Sequence, residues 1–197
     1  MVSVKRLWSM LNEGPLGYVF YIFLGIAAAV AFTAVLGAAL DTSVPLVAVL
    51  SGSMDHGVTD EPGASAYPCA KRSVGYVESF DGWWEKCDYT YGEFSITRDQ
   101  FASFPFRDGF KKGDIPVIRN DGSFETGDII VYSIPQQKVP IIHRIVSINS
   151  DGTFQTKGDH NAGQNPYEKS VGSGQVRGKV ILVVPYLGYL RVLLPIS

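Results

Sequence analysis

The sequence has few of the residues that bind metals and redox centres. Its 197 residues include two cysteines and three histidines, and it contains no Cys-x-x-Cys motif. This composition argues against a structural zinc site and an iron–sulfur cluster, and no cofactor is expected. An excess of basic charge is also missing, because the formal net charge is -2. The chain therefore lacks the electrostatic signature of a nucleic-acid-binding protein.

Charged residues are scarce, at 18% of the chain, while 46% of the residues are hydrophobic. This balance is apolar for a soluble domain and predicts a membrane segment. The sequence shows no internal repeat and no low-complexity tract. Its length fits one globular domain with appendages, or two small units.

Residues 15–40 form an apolar run without a charged residue. About 20 such residues span the hydrocarbon core of a bilayer as a helix. The apolar region of a cleaved signal peptide is shorter, at about 7–15 residues, so a transmembrane helix is predicted. Lys5 and Arg6 precede the run, which predicts a cytoplasmic segment over residues 1–14. Everything after Asp41 is then expected to face the outside of the cell membrane.

The two ends of the chain are also expected to meet the membrane. Residues 1–14 fit a short amphipathic helix at the membrane surface, with a disordered start as the alternative. The tail at 185–197 is apolar but too short to span as a helix. We expect it to dock on the domain or lie at the membrane surface, where Tyr186 and Tyr189 suit the interface.

Residues 44–50 are apolar, with valine at alternate positions, and predict a buried strand that ends at Ser51-Gly52-Ser53. Gly52 allows a sharp turn and a close approach of another chain. A hydroxyl at such a strand end suits a nucleophile, although an ordinary strand-to-turn junction would explain these three residues alone. Ser53 can lie no farther than about 45 Å from the membrane boundary, given the reach of an extended chain.

Residues 55–110 are rich in glycine, proline and aromatic residues and show no sustained helical or strand period. We predict a small aromatic cluster under irregular loops in this insertion. Its members are Trp83, Trp84, Tyr89, Tyr91, Phe94, Phe101, Phe104 and Phe106. In an exterior compartment, Cys69 and Cys87 could form a disulfide, and free thiols are the alternative.

The remainder of the chain has a regular β pattern. Runs of β-branched and aromatic residues alternate with turns in which glycine supplies positive φ and aspartate binds nearby amides. The predicted strands cover 113–118, 127–132, 139–148, 153–156 and 176–184. No helical pattern follows the apolar run. Residues 41–184 are therefore predicted to form a mainly β unit.

A serine nucleophile needs a base, and the three histidines are the candidates. His56 falls in the irregular region and His160 in a polar loop, while His143 falls on a strand among isoleucines. A histidine in such a strand can be a hydrogen-bonded core residue. Paired with Ser53 at the edge of the same sheet, His143 is instead the preferred general base.

A carboxylate should orient that imidazole and support its protonated form. Asp159, which lies at a Gly-Asp turn beside strand ends, is the first choice. Asp128 is interpreted as a turn-forming residue. The Ser51 hydroxyl and the Ser53 backbone N–H are the candidate donors to a developing oxyanion.

Five segments of the chain carry a family resemblance when they are read in order after the apolar run. They are PLVAVLSGSM (45–54), TGDIIVY (126–132), VPIIHRIVSI (139–148), TKGDHN (156–161) and GKVILVVPYLGY (178–189). Together they resemble a type I signal peptidase of the archaeal and endoplasmic-reticulum branch. They account for most of the chain outside the insertion.

The resemblance implies a β-rich serine peptidase domain outside the membrane that cleaves secretory signal peptides. It implies Ser53 as nucleophile, Ser51 as oxyanion-hole donor and His143 as general base. Asp159 matches the acidic residue of the Gly-Asp-Asn box of the family. The partners implied are the signal peptides of preproteins, membrane lipid and the protein-translocation machinery, without a cofactor.

The sequence departs from the family pattern at Asn165. Members of this branch typically carry a further aspartate there, six positions after the acidic residue of the box. Asparagine cannot stabilise an imidazolium by charge. Either Asp159 fills the orienting role, or the loop is shifted, or activity is reduced. A second departure is Asp55-His56, where many members carry an acidic residue and proline.

Asn165 also favours an alternative function, which is a membrane-anchored binding or scaffold protein with the peptidase fold and weak or no turnover. The aromatic insertion would then form its binding surface. A self-processing serine peptidase of the repressor type is a third hypothesis. It pairs serine with lysine in a soluble protein, so it fits neither the apolar run nor His143.

Overall fold

The computed structural model of the chain describes residues 14–56, residue 69 and residues 79–186. These residues fall into two units, which are an N-terminal helix and a domain that begins at Leu40. The predictions for residues 1–13 and for the tail after residue 186 lie outside the described residues.

The N-terminal helix α1 covers Gly14–Ala39. Its 26 residues correspond to about 39 Å of helix. The 23 residues Gly17–Ala39 are long and apolar enough to cross a membrane, by length and composition. Most of their large apolar side chains are exposed, which is expected of a helix whose partner is lipid rather than a protein core.

The second unit is built on one antiparallel sheet of five strands in the order β1-β5-β2-β3-β4. The strands are β1 (Ile115–Arg119), β2 (Ile129–Tyr132), β3 (Ile141–Ile148), β4 (Phe154–Lys157) and β5 (Val176–Val184). Neighbouring strands are antiparallel throughout. The structure confirms the prediction of a mainly β domain that follows an N-terminal apolar helix.

The segment before Ser51 runs along the outer edge of β1. The amide of Val47 donates to the Pro116 carbonyl at 3.1 Å, and the amide of Val49 donates to the Asp114 carbonyl at 3.0 Å. Both valine side chains are buried in the core. The alternating valines therefore hold this extended segment against the sheet and deliver the serine turn to its edge.

Strand β3 is buried on both faces and carries the polar residues of the site. His143 pairs with Ile130 of β2, and Arg144 pairs with Ile129. Successive residues of a strand point to opposite faces, so His143 and Arg144 lie on different sides of the sheet. Each side chain is buried despite its polarity, which requires a partner on each face.

The prediction that no helix follows the apolar run is wrong. Helix α2 covers Phe80–Cys87 and helix α3 covers Arg98–Ser103. Ser79 caps α2 by accepting from the Gly82 amide, and Thr97 begins α3 in a capping box with Gln100. These helices have eight and six residues, which is too short for a helical period to stand out in the sequence.

The helices of the insertion pack around a second core, which also includes Val146 of β3. Its fully buried aromatic rings include Trp83, Tyr91 and Phe101, with Trp84 at 9% exposure. Cys69 and Cys87 form a disulfide at the edge of this cluster. Two of the predicted members differ, because Phe106 packs on the sheet core and Tyr89 is 46% exposed.

Candidate active site

Ser53 and His143 line the same cleft. Its other polar side chains are those of Ser51, Gln137, Asn161, Asn165 and Tyr167. The remaining walls are largely apolar and come from the segment before Ser51, from the start of β3 and the residues that precede it, and from Phe110. The structure therefore brings together the predicted nucleophile, the predicted base and the predicted oxyanion-hole donor.

Ser53 lies in the turn that follows the edge segment. Its Oγ is 3.3 Å from Ser51 Oγ. The turn is held by main-chain contacts, since the Asp55 amide donates to the Gly52 carbonyl at 3.0 Å and the His160 amide donates to the Ser53 carbonyl at 2.9 Å. The two hydroxyls therefore lie side by side at the cleft on a fixed backbone.

His143 reaches the serine turn beside Gly158. A Cβ atom placed on Gly158 would lie 2.9 Å from His143 Nε2 and 2.8 Å from the Ser53 carbonyl oxygen. It would also lie 2.7 Å from Asn161 Nδ2. Only glycine fits this close approach, because a side chain would displace the imidazole or the serine turn. The Nε2 edge of the imidazole thus faces the turn that carries the nucleophile.

The other imidazole nitrogen contacts Glu168, a residue that the sequence interpretation missed. His143 Nδ1 is hydrogen-bonded to Glu168 Oε1, and the glutamate is fully buried. Glu168 Oε2 accepts from the backbone amide of Asn165 at 2.5 Å and from Asn165 Nδ2 at 2.9 Å. A buried carboxylate therefore stands behind the base, and Asn165 binds that carboxylate.

A sequence signal for Glu168 did exist. Asn165 caps the short 3₁₀ turn Pro166–Lys169, with proline in its first turn and Glu168 at its third position. This is a capping box, in which the glutamate reaches back to the backbone of the cap residue. The pattern predicts that the Glu168 side chain meets the backbone of Asn165, although it does not predict the contact of Glu168 with His143.

The expectation that Asp159 orients His143 is wrong. Both Asp159 oxygens are bound by Arg144, through Nε at 3.0 Å and Nη2 at 2.7 Å. The same carboxylate contacts His56 Nε2 and the Tyr91 hydroxyl, each at 3.0 Å. Arg144 is the neighbour of His143 on β3, so Asp159 lies on the opposite face of the strand from the base.

The charge of Asp159 is stabilised where it lies. Burial alone would raise the pKa of this carboxyl, but the Arg144 guanidinium and the hydrogen bond from His56 outweigh it. Its pKa is therefore held well below the usual range. Asp159 is an ionised partner of Arg144 in the interior of the domain.

The other two histidines have packing roles. The His56 ring stacks on Trp83 with a centroid distance of 3.6 Å, and His56 is buried rather than flexible. His160 is also buried, and its Nδ1 lies 3.1 Å from the Asp55 carbonyl. Burial lowers the pKa of His160 and favours its neutral form. Both rings help to fix the loop around Asp159.

Lys157 is a further buried ionisable residue near the site. Its Nζ donates to the Gly158 carbonyl at 3.1 Å and lies 4.2 Å from the centre of the Tyr91 ring. Burial lowers the pKa of this lysine to about 7, against the opposing effect of Asp159 and Glu168. Lys157 thus supports the glycine that separates the base from the serine turn.

The arrangement has the parts of a serine peptidase. A hydroxyl and an imidazole line one cleft, the imidazole is hydrogen-bonded to a buried carboxylate, and a second hydroxyl lies beside the first. In such a set the base takes the proton of the hydroxyl, and the carboxylate fixes the orientation of the base. Contacts between hydroxyl and imidazole are often long without substrate and tighten in the complex.

Comparison with known proteins points to the same class. No family model matches the chain. The signal peptidase complex catalytic subunit SEC11 of Colletotrichum graminicola is 31% identical over 96 residues, which is 43% of this chain and 56% of that protein. The signal peptidase complex catalytic subunit SEC11C of Homo sapiens is 30% identical over 100 residues, which is 43% of this chain and 50% of that protein.

The match spans about half the length of these relatives. Similar identity over the same share of the chain is found with the sec11 subunit of Pyrenophora tritici-repentis. The comparisons confirm the family resemblance: the relatives of this chain are the catalytic subunits of signal peptidase complexes, the endoplasmic-reticulum branch of the type I signal peptidases.

Proposed function

We propose that this chain is a membrane-bound serine endopeptidase that removes signal peptides from secreted preproteins. The observation that carries the proposal is the cleft shared by Ser53 and His143, with the far nitrogen of the imidazole bound to a buried carboxylate. The names of the relatives supply the substrate class.

In the proposed mechanism, Ser53 Oγ attacks the scissile carbonyl while His143 Nε2 takes the hydroxyl proton. The Ser51 hydroxyl and the Ser53 backbone N–H donate to the oxyanion. His143 then gives the proton to the leaving amine, and the acyl group remains on Ser53. Water, activated by the same nitrogen, releases the acyl group and restores the serine.

The cleft suits an extended peptide with small side chains. The amides of Val47 and Val49 pair with β1, so those of Ala48 and Leu50 point away from it. An extended substrate adds there as a further strand, with its scissile bond beside Ser53. Signal peptides end in an extended stretch with small residues at the cleavage site, which this apolar cleft admits.

The membrane arrangement follows from the same proposal. Residues 15–40 anchor the enzyme in the cell membrane as a single span, with residues 1–14 in the cytoplasm. The peptidase domain at 41–184 then faces outwards, where signal peptides leave the bilayer. Membrane lipid and the protein-translocation machinery are the proposed partners beside the preproteins.

The test is cleavage of a preprotein with an Ala-x-Ala site by the detergent-solubilised full chain. Ser53→Ala and His143→Gln are each expected to lower kcat/KM by at least about 10³-fold, because each removes a member of a unit that acts together. The matched control is Ser150→Ala, which changes an exposed serine and should leave the rate unchanged. Cleavage by Ser53→Ala at the wild-type rate would refute the proposal.

The binding or scaffold alternative depends on Asn165. That asparagine argues against turnover only if His143 lacks a carboxylate partner. Glu168 contacts His143 and is such a partner, which supports turnover despite the departure at Asn165. A folded wild-type chain that binds the preprotein and never cleaves it would restore this alternative.

A further inference from the structure

We infer that Glu168, held by Asn165, is the positioning residue that replaces the aspartate expected at position 165. The inference rests on the proposed function, since it concerns the orientation of the proposed base. The role of the carboxylate that orients the base then belongs to Glu168, which lies one short turn after position 165.

The first argument is the contact itself. Glu168 Oε1 is hydrogen-bonded to His143 Nδ1, and both side chains are buried. A carboxylate accepts at this position, so it fixes the proton on Nδ1 and leaves Nε2 as the acceptor. Nε2 is the edge that approaches the serine turn beside Gly158. The glutamate thus selects the tautomer that the reaction needs.

The second argument is the chemistry of position 165. Asn165 donates to Glu168 Oε2 through both its backbone amide and its side-chain amide. An aspartate at 165 would instead place a second carboxylate against Glu168, and one of the two would take up a proton. Asparagine at 165 and glutamate at 168 are therefore a matched pair. Asn165 acts as a donor that holds the Glu168 carboxyl group in place.

The third argument concerns the other groups around Glu168. Glu168 interacts electrostatically with Lys157 on β4 and with Tyr132 on β2. The Tyr132 hydroxyl is hydrogen-bonded to Thr156 Oγ1 at 2.9 Å, and Lys157 Nζ is bound to the Gly158 carbonyl. Of the two buried carboxylates in this loop, Glu168 is the one hydrogen-bonded to His143, because Asp159 is engaged by Arg144. Glu168 is thus the negative partner of the imidazolium that forms during the reaction.

The experiment compares Glu168→Gln, Asn165→Asp and the double variant Asn165→Asp/Glu168→Gln in the detergent-solubilised full chain. Glu168→Gln should lower kcat by roughly 10²–10⁴-fold with little change in KM, because it removes charge and tautomer control but not substrate contacts. Asn165→Asp alone should lower kcat less. The double variant should recover at least about tenfold over Glu168→Gln, since it again holds one carboxylate and one amide. Glu85→Gln, an exposed acid on α2, is the control.

A second readout does not depend on turnover. Proton and nitrogen NMR of the ¹⁵N-histidine-labelled chain reports the Nδ1–H of His143, assigned with His143→Gln. This signal is expected in the wild type and lost or shifted in Glu168→Gln. If neither the wild type nor any variant cleaves the preprotein, the proposed function fails, while a Glu168-dependent signal still supports the inference. An unmoved signal together with an unchanged kcat in folded Glu168→Gln would overturn it.

Discussion

Two neighbouring residues on β3 hold two buried carboxylates in different ways. Arg144 binds Asp159 on one face of the strand, and His143 binds Glu168 on the other. The Arg144 guanidinium also donates to the carbonyls of Gly127 and two residues of the insertion, so every one of its contacts is structural. His143 uses one nitrogen for its carboxylate and keeps the other toward the serine turn.

The comparison shows what separates a structural pair of charged residues from a reactive pair. In the structural pair all polar atoms are hydrogen-bonded, while in the reactive pair one atom is left for chemistry. Asp159 is bound by Arg144, His56 and Tyr91, and no oxygen is left to act elsewhere. A guanidinium stays charged and does not lose or gain a proton near neutral pH. An imidazole does, which makes the His143 side of the strand able to perform acid–base chemistry.

The largest expected effect on stability comes from Asp159→Asn. This change leaves Arg144 buried without a counter-charge, and breaking such a pair costs about 3–5 kcal/mol. Glu168→Gln should lower the free energy of unfolding clearly less. Glutamine keeps the shape of the glutamate side chain, and the His143 imidazole can stay neutral beside it. Urea unfolding followed by near-UV circular dichroism measures both. Equal losses in the two variants would remove the distinction between a structural and a reactive carboxylate.

The same pair predicts how acid affects the domain. The folded pKa of Asp159 is held below its unfolded value, which is about 3.9 for an aspartate. Its contribution to stability is therefore present above pH 4 and is lost as the pH falls below that value. Asp159→Asn should lack this component, so the wild type and the variant should converge in stability on acidification.

Removing the disulfide, which lies on the Arg144 side of β3, is expected to lower the free energy of unfolding by less than Asp159→Asn does. Cys69 and Cys87 are 18 positions apart, and closing a loop of this size contributes about 3 kcal/mol. The Cys69 amide also donates to the His160 carbonyl, next to Asp159. The double variant Cys69→Ser/Cys87→Ser should therefore unfold at a lower urea concentration than the wild type. It should also cleave the preprotein with a lower kcat. An identical midpoint with and without the disulfide would show that the disulfide contributes nothing to stability.

A further effect concerns Lys157, which interacts electrostatically with both Asp159 and Glu168. Its pKa is lowered to about 7, so the unfolded chain binds more protons than the folded chain between about pH 7 and 10.5. Lys157 therefore makes stability rise with pH in this window. Lys157→Met should flatten this rise, because methionine binds no proton in either the folded or the unfolded state, and urea unfolding as a function of pH measures it. The control Lys169→Met changes an exposed lysine and should keep the rise of stability with pH. If Lys157→Met showed the same dependence of stability on pH as the wild type, the rise would not come from Lys157.

Much of the sheet could be predicted from the sequence, because its strands are short apolar runs between glycine and aspartate turns. The last strand, Val176–Val184, has the predicted bounds. The two short helices of the insertion were missed, since their evidence lies in the caps Ser79 and Thr97 rather than in a period. Local capping signals would have found them.

The site was predictable in part for a similar reason. Ser53 and His143 follow from residue type at strand positions, and the structure places both at one cleft. The carboxylates do not follow, because their assignment depends on which face of β3 each loop residue meets. Asp159 and Glu168 lie nine positions apart and reach opposite faces of that strand, and this is set by tertiary folding rather than by spacing.

The main-chain contacts of His160 have a consequence for sequence variation. Its amide donates to the Ser53 carbonyl and its carbonyl accepts from the Cys69 amide. Any residue except proline can provide these two bonds, because neither uses the side chain. Position 160 is therefore free to exchange the asparagine of the Gly-Asp-Asn box for histidine without moving the nucleophile. The bond of His160 Nδ1 to Asp55 is an addition that this chain gains from the exchange.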